Sequence, residues 1–148
     1  MTIETTTHLN FRDGRAREAL DFYAAAFGGT ATTTTYGELG MPADAPDATR
    51  VIFGRVDSPA GLRLMAYDVP GANGPAASEA TRRENGLTLT GQSFFVSVRG
   101  SSLDEVRDYW DRLADGATVV EPLAASAWSA GFGMLTDRFG VTWVLDVA

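Results

Sequence analysis

The sequence of 148 residues contains no cysteine and a single histidine, His8. Without cysteine the chain can form neither disulfides nor thiolate metal sites, and a cysteine nucleophile is excluded. No stretch approaches the roughly 20 apolar residues that a membrane-spanning helix needs. The opening residues also lack the basic start and apolar run of a signal peptide. We therefore expect a soluble, cytoplasmic protein with no membrane partner.

Basic residues are also scarce, since 12 Lys and Arg stand against 19 Asp and Glu and give a formal net charge of −7. The only adjacent basic pair, Arg82 and Arg83, is flanked by Glu79 and Glu84. Nucleic-acid-binding proteins concentrate Lys and Arg on one face, so we expect no nucleic-acid partner. The hydrophobic fraction of 45% is enough for an ordinary folded core.

The first half of the chain predicts one strand, one helix and three further strands. In "TTTHLNF" the alternation places Thr6, His8 and Asn10 on one face of a strand. A helix follows, which Asp13 is positioned to cap and whose apolar positions recur at helical spacing. The segments "TATTTTY", "RVIFGRV" and "LRLMAYDV" then read as strands, with a tight turn at "DSPAG" before the last.

The second half repeats this pattern. "SFFVSVRG" reads as a strand, Ser102 and Glu105 form a capping box before the next helix, and "ATVVEP", "FGMLT" and "VTWVLDV" read as three strands. Superposing the two helices gives an offset of 87 residues, which pairs Thr6 with Ser93 and His8 with Phe95. We predict a single domain of two modules, about 1–68 and 92–148, joined by a connection at 69–91.

A module of this size, with a single helix, covers only one face of its sheet. The two open sheet faces are therefore predicted to combine into one curved sheet around a cavity. A small-molecule ligand is expected to bind there, although a cavity filled by the protein's own side chains is an alternative.

The duplicated module and several phrases resemble the vicinal oxygen chelate superfamily, which includes glyoxalase I, bleomycin-resistance proteins and extradiol dioxygenases. The phrases "HLNFRDGRAREALDFYAAAFGG", "YGELG", "LRLMAYD" and "WSAGFGMLTDRFGVTWVLDV" are similar to its PhnB-like branch. That branch is often labelled 3-demethylubiquinone methyltransferase-like, but the chain has no Gly-rich strand-to-helix loop suited to an adenosyl cofactor. The resemblance implies an α+β, glyoxalase-like fold with an eight-stranded cupped mixed sheet, and a homodimer.

In the metal-using members of that superfamily, the first and last strands of each module supply His, Gln or Glu to one divalent ion. The resemblance places these positions at Thr6, Met65, Ser93 and Val144. Such side chains are poor ligands for a hard or borderline cation. We therefore expect no metal cofactor, with a divalent metal as the alternative.

Three further residues are candidates for the site. His8 shares a strand face with Thr6, and imidazole exchanges protons near neutral pH, so His8 is a candidate general base. Glu38, in "YGELG", is a second candidate acid or base at the mouth of the cup. Trp128 lies in a loop of small residues and is a candidate pocket wall. The predicted pocket residues are Thr6, His8, Asn10, Met65, Ser93, Phe95, Trp128 and Val144.

Two functions remain open at this point. The first is a small-molecule-binding protein that lacks the usual metal centre. The second is a lyase or isomerase of the glyoxalase or dioxygenase type, which uses either a relocated metal site around His8 and Glu38 or acid–base catalysis by His8 alone.

Overall fold

The computed structural model describes residues 2–74 and 78–148, and the chain divides into two compact units, residues 1–76 and 77–148. Residues 75–77, which belong to the predicted connection, lie outside the described residues. Each unit contains a strand, a helix and three strands in that order, so the two βαβββ modules of an α+β fold are confirmed. No helix of the described part of the chain is long and apolar enough to cross a membrane.

The first unit is a mixed four-stranded sheet with one helix on one of its faces. The strand order is β1-β4-β3-β2, in which β1 runs parallel to β4 and the other neighbours are antiparallel. β2 consists almost entirely of threonines, whose branched side chains favour extended backbone. The elements are β1 (Thr7–Phe11), α1 (Ala16–Phe27), β2 (Thr30–Thr35), a 3₁₀ turn (Gly37–Leu39), β3 (Val51–Asp57) and β4 (Arg63–Asp68).

Helix α1 packs an apolar stripe against this sheet and ends at Gly28, whose positive φ of 67° suits glycine. Its start differs from the prediction. The N-cap position is Arg15, without a side-chain cap, and Asp13 does not cap the helix. Instead the Ala16 N–H donates to Asp68 Oδ1 (2.9 Å), so a carboxylate from the distant strand β4 satisfies the free helix amide.

The second unit has the same arrangement, with the strand order β7-β10-β9-β8 and with β7 parallel to β10. Here the predicted cap is confirmed, because the Glu105 N–H donates to Ser102 Oγ (3.3 Å). Trp143 is fully buried, and its indole N–H donates to the buried carboxylate of Asp137 (2.9 Å). The elements are β5 (Arg82–Glu84), β6 (Leu87–Leu89), β7 (Val96–Gly100), α2 (Leu103–Leu113), β8 (Thr118–Ala124), β9 (Phe132–Thr136) and β10 (Thr142–Val147).

Strands β5 and β6 form a hairpin in the segment that the sequence assigned to the connection. The hairpin lies against the face of the second sheet that α2 leaves open. Arg83 on β5 lies 3.7 Å from the Glu121 carboxylate and stacks over the Phe132 ring at 5.7 Å. Thr88 on β6 contacts the Met134 sulfur at 3.8 Å. The chain therefore covers part of its own second open face.

Candidate functional site

The face of the first sheet that α1 leaves uncovered, called the first open face below, carries side chains in two rows across the strands. Residues that are paired in a ladder project to the same side of a sheet. In the first row the ladder places His8, Met65, Arg55 and Thr32 side by side across all four strands. The second row holds Asn10 beside Tyr67 and Phe53 beside Thr34.

A shallow depression of about 290 Å³ lies on this first open face. Phe53 forms one wall although its side chain is 55% exposed, which is unusual for a phenylalanine in a sheet. The wall combines apolar side chains, threonine hydroxyls and one guanidinium, a composition that suits a small organic molecule. The lining residues are Thr32, Thr33, Thr34, Phe53, Gly54, Arg55 and Met65.

His8 and Asn10 contact each other beside this depression. Both side chains are exposed, and His8 Nδ1 lies 3.1 Å from Asn10 Oδ1. The imidazole also meets the Tyr67 ring edge-on, with the ring centroids 5.5 Å apart. The structure thus groups a hydrogen-bonding imidazole with a phenol on the same sheet face.

Arg55 is the charged member of the first row, and its charge is balanced locally. Its guanidinium makes a two-pronged ion pair with Asp57, at 2.5 and 3.0 Å. The hydrogen bond from Arg55 lowers the pKa of Asp57, so this carboxylate stays ionised in mildly acidic solution.

Glu38 does not join this group. Its carboxylate accepts hydrogen bonds from the Thr35 N–H (3.3 Å) and hydroxyl (3.1 Å), and it closes the short 3₁₀ turn after β2. β1 and β2 are opposite edges of the first sheet, so the strand of His8 and the strand that precedes Glu38 lie three strand spacings apart, about 14 Å.

The predicted site residues of the second unit occupy varied positions. Val144 faces the side that α2 leaves open, paired with Ser97 on β7 and Met134 on β9. Ser93 and Phe95 precede β7 and belong to no strand. Trp128 is 68% exposed in a loop, and its ring meets Phe132 edge-on at 5.6 Å.

The ladder corrects the repeat alignment for the first strands. The helices keep the offset of 87 residues, from Ala16 to Leu103, but the strand pairing matches Thr7 to Val96, an offset of 89. The reason is that four residues connect β1 to α1 but only two connect β7 to α2. The counterpart of His8 is therefore Ser97 and not Phe95, and Ser93 is not the counterpart of Thr6.

A larger cavity of about 430 Å³ lies on the helix side of the first sheet, at the start of α1. Several of its charged side chains are engaged within the protein, but the buried Oδ1 of Asp13 has no hydrogen-bond partner among the described residues. Arg15 pairs with Glu18 at 2.9 Å, Arg50 pairs with Asp47 at 3.4 Å, and Asp68 accepts two backbone hydrogen bonds.

Comparison with known proteins agrees with this architecture. Residues 5–145 match the family described as the Glyoxalase/Bleomycin resistance protein/Dioxygenase superfamily. The chain belongs to this superfamily. It is 23% identical to the protein YjdN of Escherichia coli over 138 residues, which covers 90% of this chain and 88% of YjdN.

Solved structures show the same glyoxalase-like fold. Protein PA1353 from Pseudomonas aeruginosa has a TM-score of 0.77 and 28% identity, with 99% of this chain and 98% of that chain covered. The PhnB protein from Bacillus cereus has a TM-score of 0.71 and 23% identity, with 99% and 100% covered. The PhnB protein thus shares the fold of this chain.

The residues at the superfamily's metal positions do not fit a divalent ion. The resemblance assigns Thr6, Met65, Ser93 and Val144, and correcting the first-strand positions by the ladder replaces Thr6 with His8 and Ser93 with Ser97. Either set contains a thioether and a hydrocarbon and includes at most one strong ligand. Among residues 2–74 and 78–148, no group of three or more His, Asp or Glu side chains is placed to hold a metal ion.

Sequence reasoning missed five residues of the first open face, namely Thr32, Thr34, Phe53, Arg55 and Tyr67. The signal was present in the strand alternation, because Tyr67 has the same parity as Met65 in "LRLMAYDV". Phe53 and Arg55 likewise share one face of "RVIFGRV".

Proposed function

We propose that this member of the superfamily binds a small organic molecule on the first open face, and that binding needs no divalent ion. The observation that carries the proposal is the exposed, largely apolar depression beside His8, walled by Phe53 and Met65. Burying such a surface against an apolar ligand is favourable, at about 25 cal/mol per Å².

The chemistry of this face supports an organic ligand that has both an apolar and a polar part. Met65 lies between His8 and Arg55 in the ladder, so an apolar contact is flanked by two hydrogen-bonding side chains. Phe53 adds an aromatic surface in the next row. A ligand ring is expected to contact Phe53 and Met65 while its polar substituents reach the flanking side chains.

The second unit supports the choice of the first open face. Its corresponding surface is partly covered by the β5–β6 hairpin, through Arg83 on Glu121 and Phe132 and through Thr88 on Met134. The homodimer that the resemblance implies and the cytoplasmic location expected from the sequence belong to the same proposal.

The metal part of the proposal is tested by elemental analysis of protein purified without chelators. We expect well under one equivalent of any transition ion, and we expect ligand binding to be unchanged after dialysis against EDTA. A stoichiometric ion whose removal abolishes binding would refute this part.

The ligand part is tested by a thermal-shift and calorimetric screen of catechols, hydroxy acids and glutathione adducts. Phe53→Ala is expected to lower the affinity for any ligand found by about tenfold, because one aromatic contact contributes up to about 1.5 kcal/mol. Phe94→Ala is the matched control, since Phe94 is 51% exposed against 55% for Phe53 but lies in the second unit before β7. Equal weakening by both variants, or binding unaffected by Phe53→Ala, would contradict the assignment of the site.

A further inference from the structure

The contact between His8 and Asn10 bears on which nitrogen of the imidazole ring carries a hydrogen atom. The two residues are separated by one position on β1, so strand alternation places both on the first open face. Asn10 Oδ1 lies 3.1 Å from His8 Nδ1, which is within hydrogen-bond range. The edge-on Tyr67 ring packs beside the same imidazole and restricts its orientation.

In this orientation the Asn10 amide oxygen faces Nδ1 and can only accept a hydrogen bond, so the contact is a hydrogen bond in the tautomer whose Nδ1 carries the hydrogen. A neutral imidazole has one N–H, and its other nitrogen then presents a lone pair. Among the described residues, Nε2 has no hydrogen-bond partner, and the His8 side chain is exposed.

We propose that Asn10 is a positioning residue that holds His8 in its Nδ1–H tautomer, so that Nε2 accepts a hydrogen bond from a hydroxyl, phenol or N–H group of the ligand. This inference deepens the proposed function and rests on it for the ligand, whereas the tautomer is a property of the protein alone. His8 is paired with Met65, about 4.8 Å away across one strand spacing. An aromatic ring over Met65 would therefore lie one strand spacing from His8, within reach of the imidazole through a ring hydroxyl.

The tautomer can be measured directly because the chain has one histidine. Long-range ¹H–¹⁵N spectra of ¹⁵N-histidine-labelled protein, recorded at mildly alkaline pH where imidazole is neutral, separate a protonated from an unprotonated ring nitrogen. We expect Nδ1 to be protonated and Nε2 to be unprotonated. Free histidine favours the Nε2–H form, so finding that form in the protein would overturn the proposal.

Three variants separate positioning from a general effect on structure. Asn10→Ala removes the acceptor and is expected to shift His8 toward the Nε2–H tautomer. Asn10→Asp keeps an acceptor oxygen and is expected to retain the Nδ1–H form. Asn73→Ala makes the same change at an exposed asparagine after β4 and is expected to leave the spectrum unchanged. A tautomer that is unaffected by Asn10→Ala would also overturn the proposal.

The ligand class is tested with phenol and with anisole, which has the same ring but no O–H donor. Saturable movement of the Nε2 resonance by phenol and not by anisole supports the proposed class. Equal effects of both compounds would overturn the requirement for a donor. No effect of either compound, together with an Nδ1–H tautomer, would count against the proposed binding site and not against the role of Asn10.

Discussion

Replacing Asp68 by alanine is expected to destabilise the first unit strongly. The carboxylate is only 1% exposed, and it accepts hydrogen bonds from two backbone amides, Ala16 at the start of α1 (2.9 Å) and Val51 at the start of β3 (2.8 Å). One side chain therefore holds a helix end and a strand end that are distant in sequence. The side chain of Arg15, the N-cap residue of α1, makes no capping hydrogen bond that could replace the one from Asp68.

The magnitude follows from these two bonds. A hydrogen bond to a charged group contributes about 1.5–3 kcal/mol, so two bonds give an upper range of about 3–6 kcal/mol. The cavity of about 430 Å³ beside Asp68 allows water to reach the amides that are released, which favours the lower end. We expect a loss of about 3 kcal/mol for Asp68→Ala. Asp68→Asn keeps one acceptor oxygen and is expected to lose about 2 kcal/mol.

Urea denaturation followed by two probes measures this loss. At a slope of about 1–3 kcal/mol per M, a loss of about 3 kcal/mol lowers the midpoint by about 1–3 M. The three tryptophans, at positions 110, 128 and 143, all lie in the second unit, so their fluorescence follows that unit while far-ultraviolet circular dichroism follows both. A midpoint shift by dichroism alone would show that the units unfold separately.

Ser102→Ala provides the matched control for Asp68→Ala. It removes the local cap of α2, in which Ser102 Oγ accepts a single hydrogen bond from the Glu105 N–H at 3.3 Å, and is expected to lower stability by about 1 kcal/mol. The reasoning is refuted if Asp68→Ala lowers the free energy of unfolding no more than Ser102→Ala does. Unchanged hydrogen-exchange protection of the Ala16 and Val51 amides in the Asp68→Ala variant would refute it as well.

Two further predictions concern packing and pH. A Cβ atom at Gly133 would lie 2.7 Å from the Trp110 ring and 2.9 Å from the Leu123 backbone, so Gly133→Ala is expected to destabilise by about 1–3 kcal/mol in urea denaturation, and an unchanged midpoint would contradict this. Burial, followed by nearby negative charge, raises the pKa of Tyr36, whose hydroxyl donates to the Asp68 carbonyl (2.7 Å). The raised pKa stabilises the folded protein fully at pH values below the ordinary tyrosine pKa of about 10. This stabilisation is lost as the pH rises through the higher pKa of the folded state. Tyr36→Phe is therefore expected to lower stability at neutral pH by about 1 kcal/mol and to make the loss of stability at alkaline pH less steep. A loss as steep as in the unmodified protein would exclude Tyr36 as its cause.

Much of the secondary structure could be predicted because its signals are local. Alternation in "TTTHLNF" correctly placed Leu9 in the core and His8 on the exposed face of β1. The capping box at Ser102 and the glycine after Phe27 marked helix ends, since these depend on residues a few positions apart. The repeat of these local signals was sufficient to predict two modules.

The errors of the sequence analysis all involve residues that are distant in the chain. Asp68 caps α1 in place of the neighbouring Asp13, because the β4 strand end carries a carboxylate to the helix start. The position of Glu38, in the turn after β2 and therefore at the edge opposite to the strand of His8, likewise depends on strand order and not on alternation. The hairpin in the connection has short strands, at Arg82–Glu84 and Leu87–Leu89, that give no clear periodic signal.

The sequence by itself determined which side chains share each sheet face, which helix positions are apolar and where the turns lie. It also showed that the side chains at the positions assigned to a metal are poor ligands. Those features follow from covalent spacing, because side chains alternate along a strand and recur every 3.6 residues along a helix. Only the tertiary structure decided which side chains become neighbours across strands, so that His8 lies beside Met65, Ser97 lies beside Val144 and Asp68 reaches α1. Ladder register depends on connection lengths and long-range pairing, and a two-residue difference in one connection was enough to change the partners.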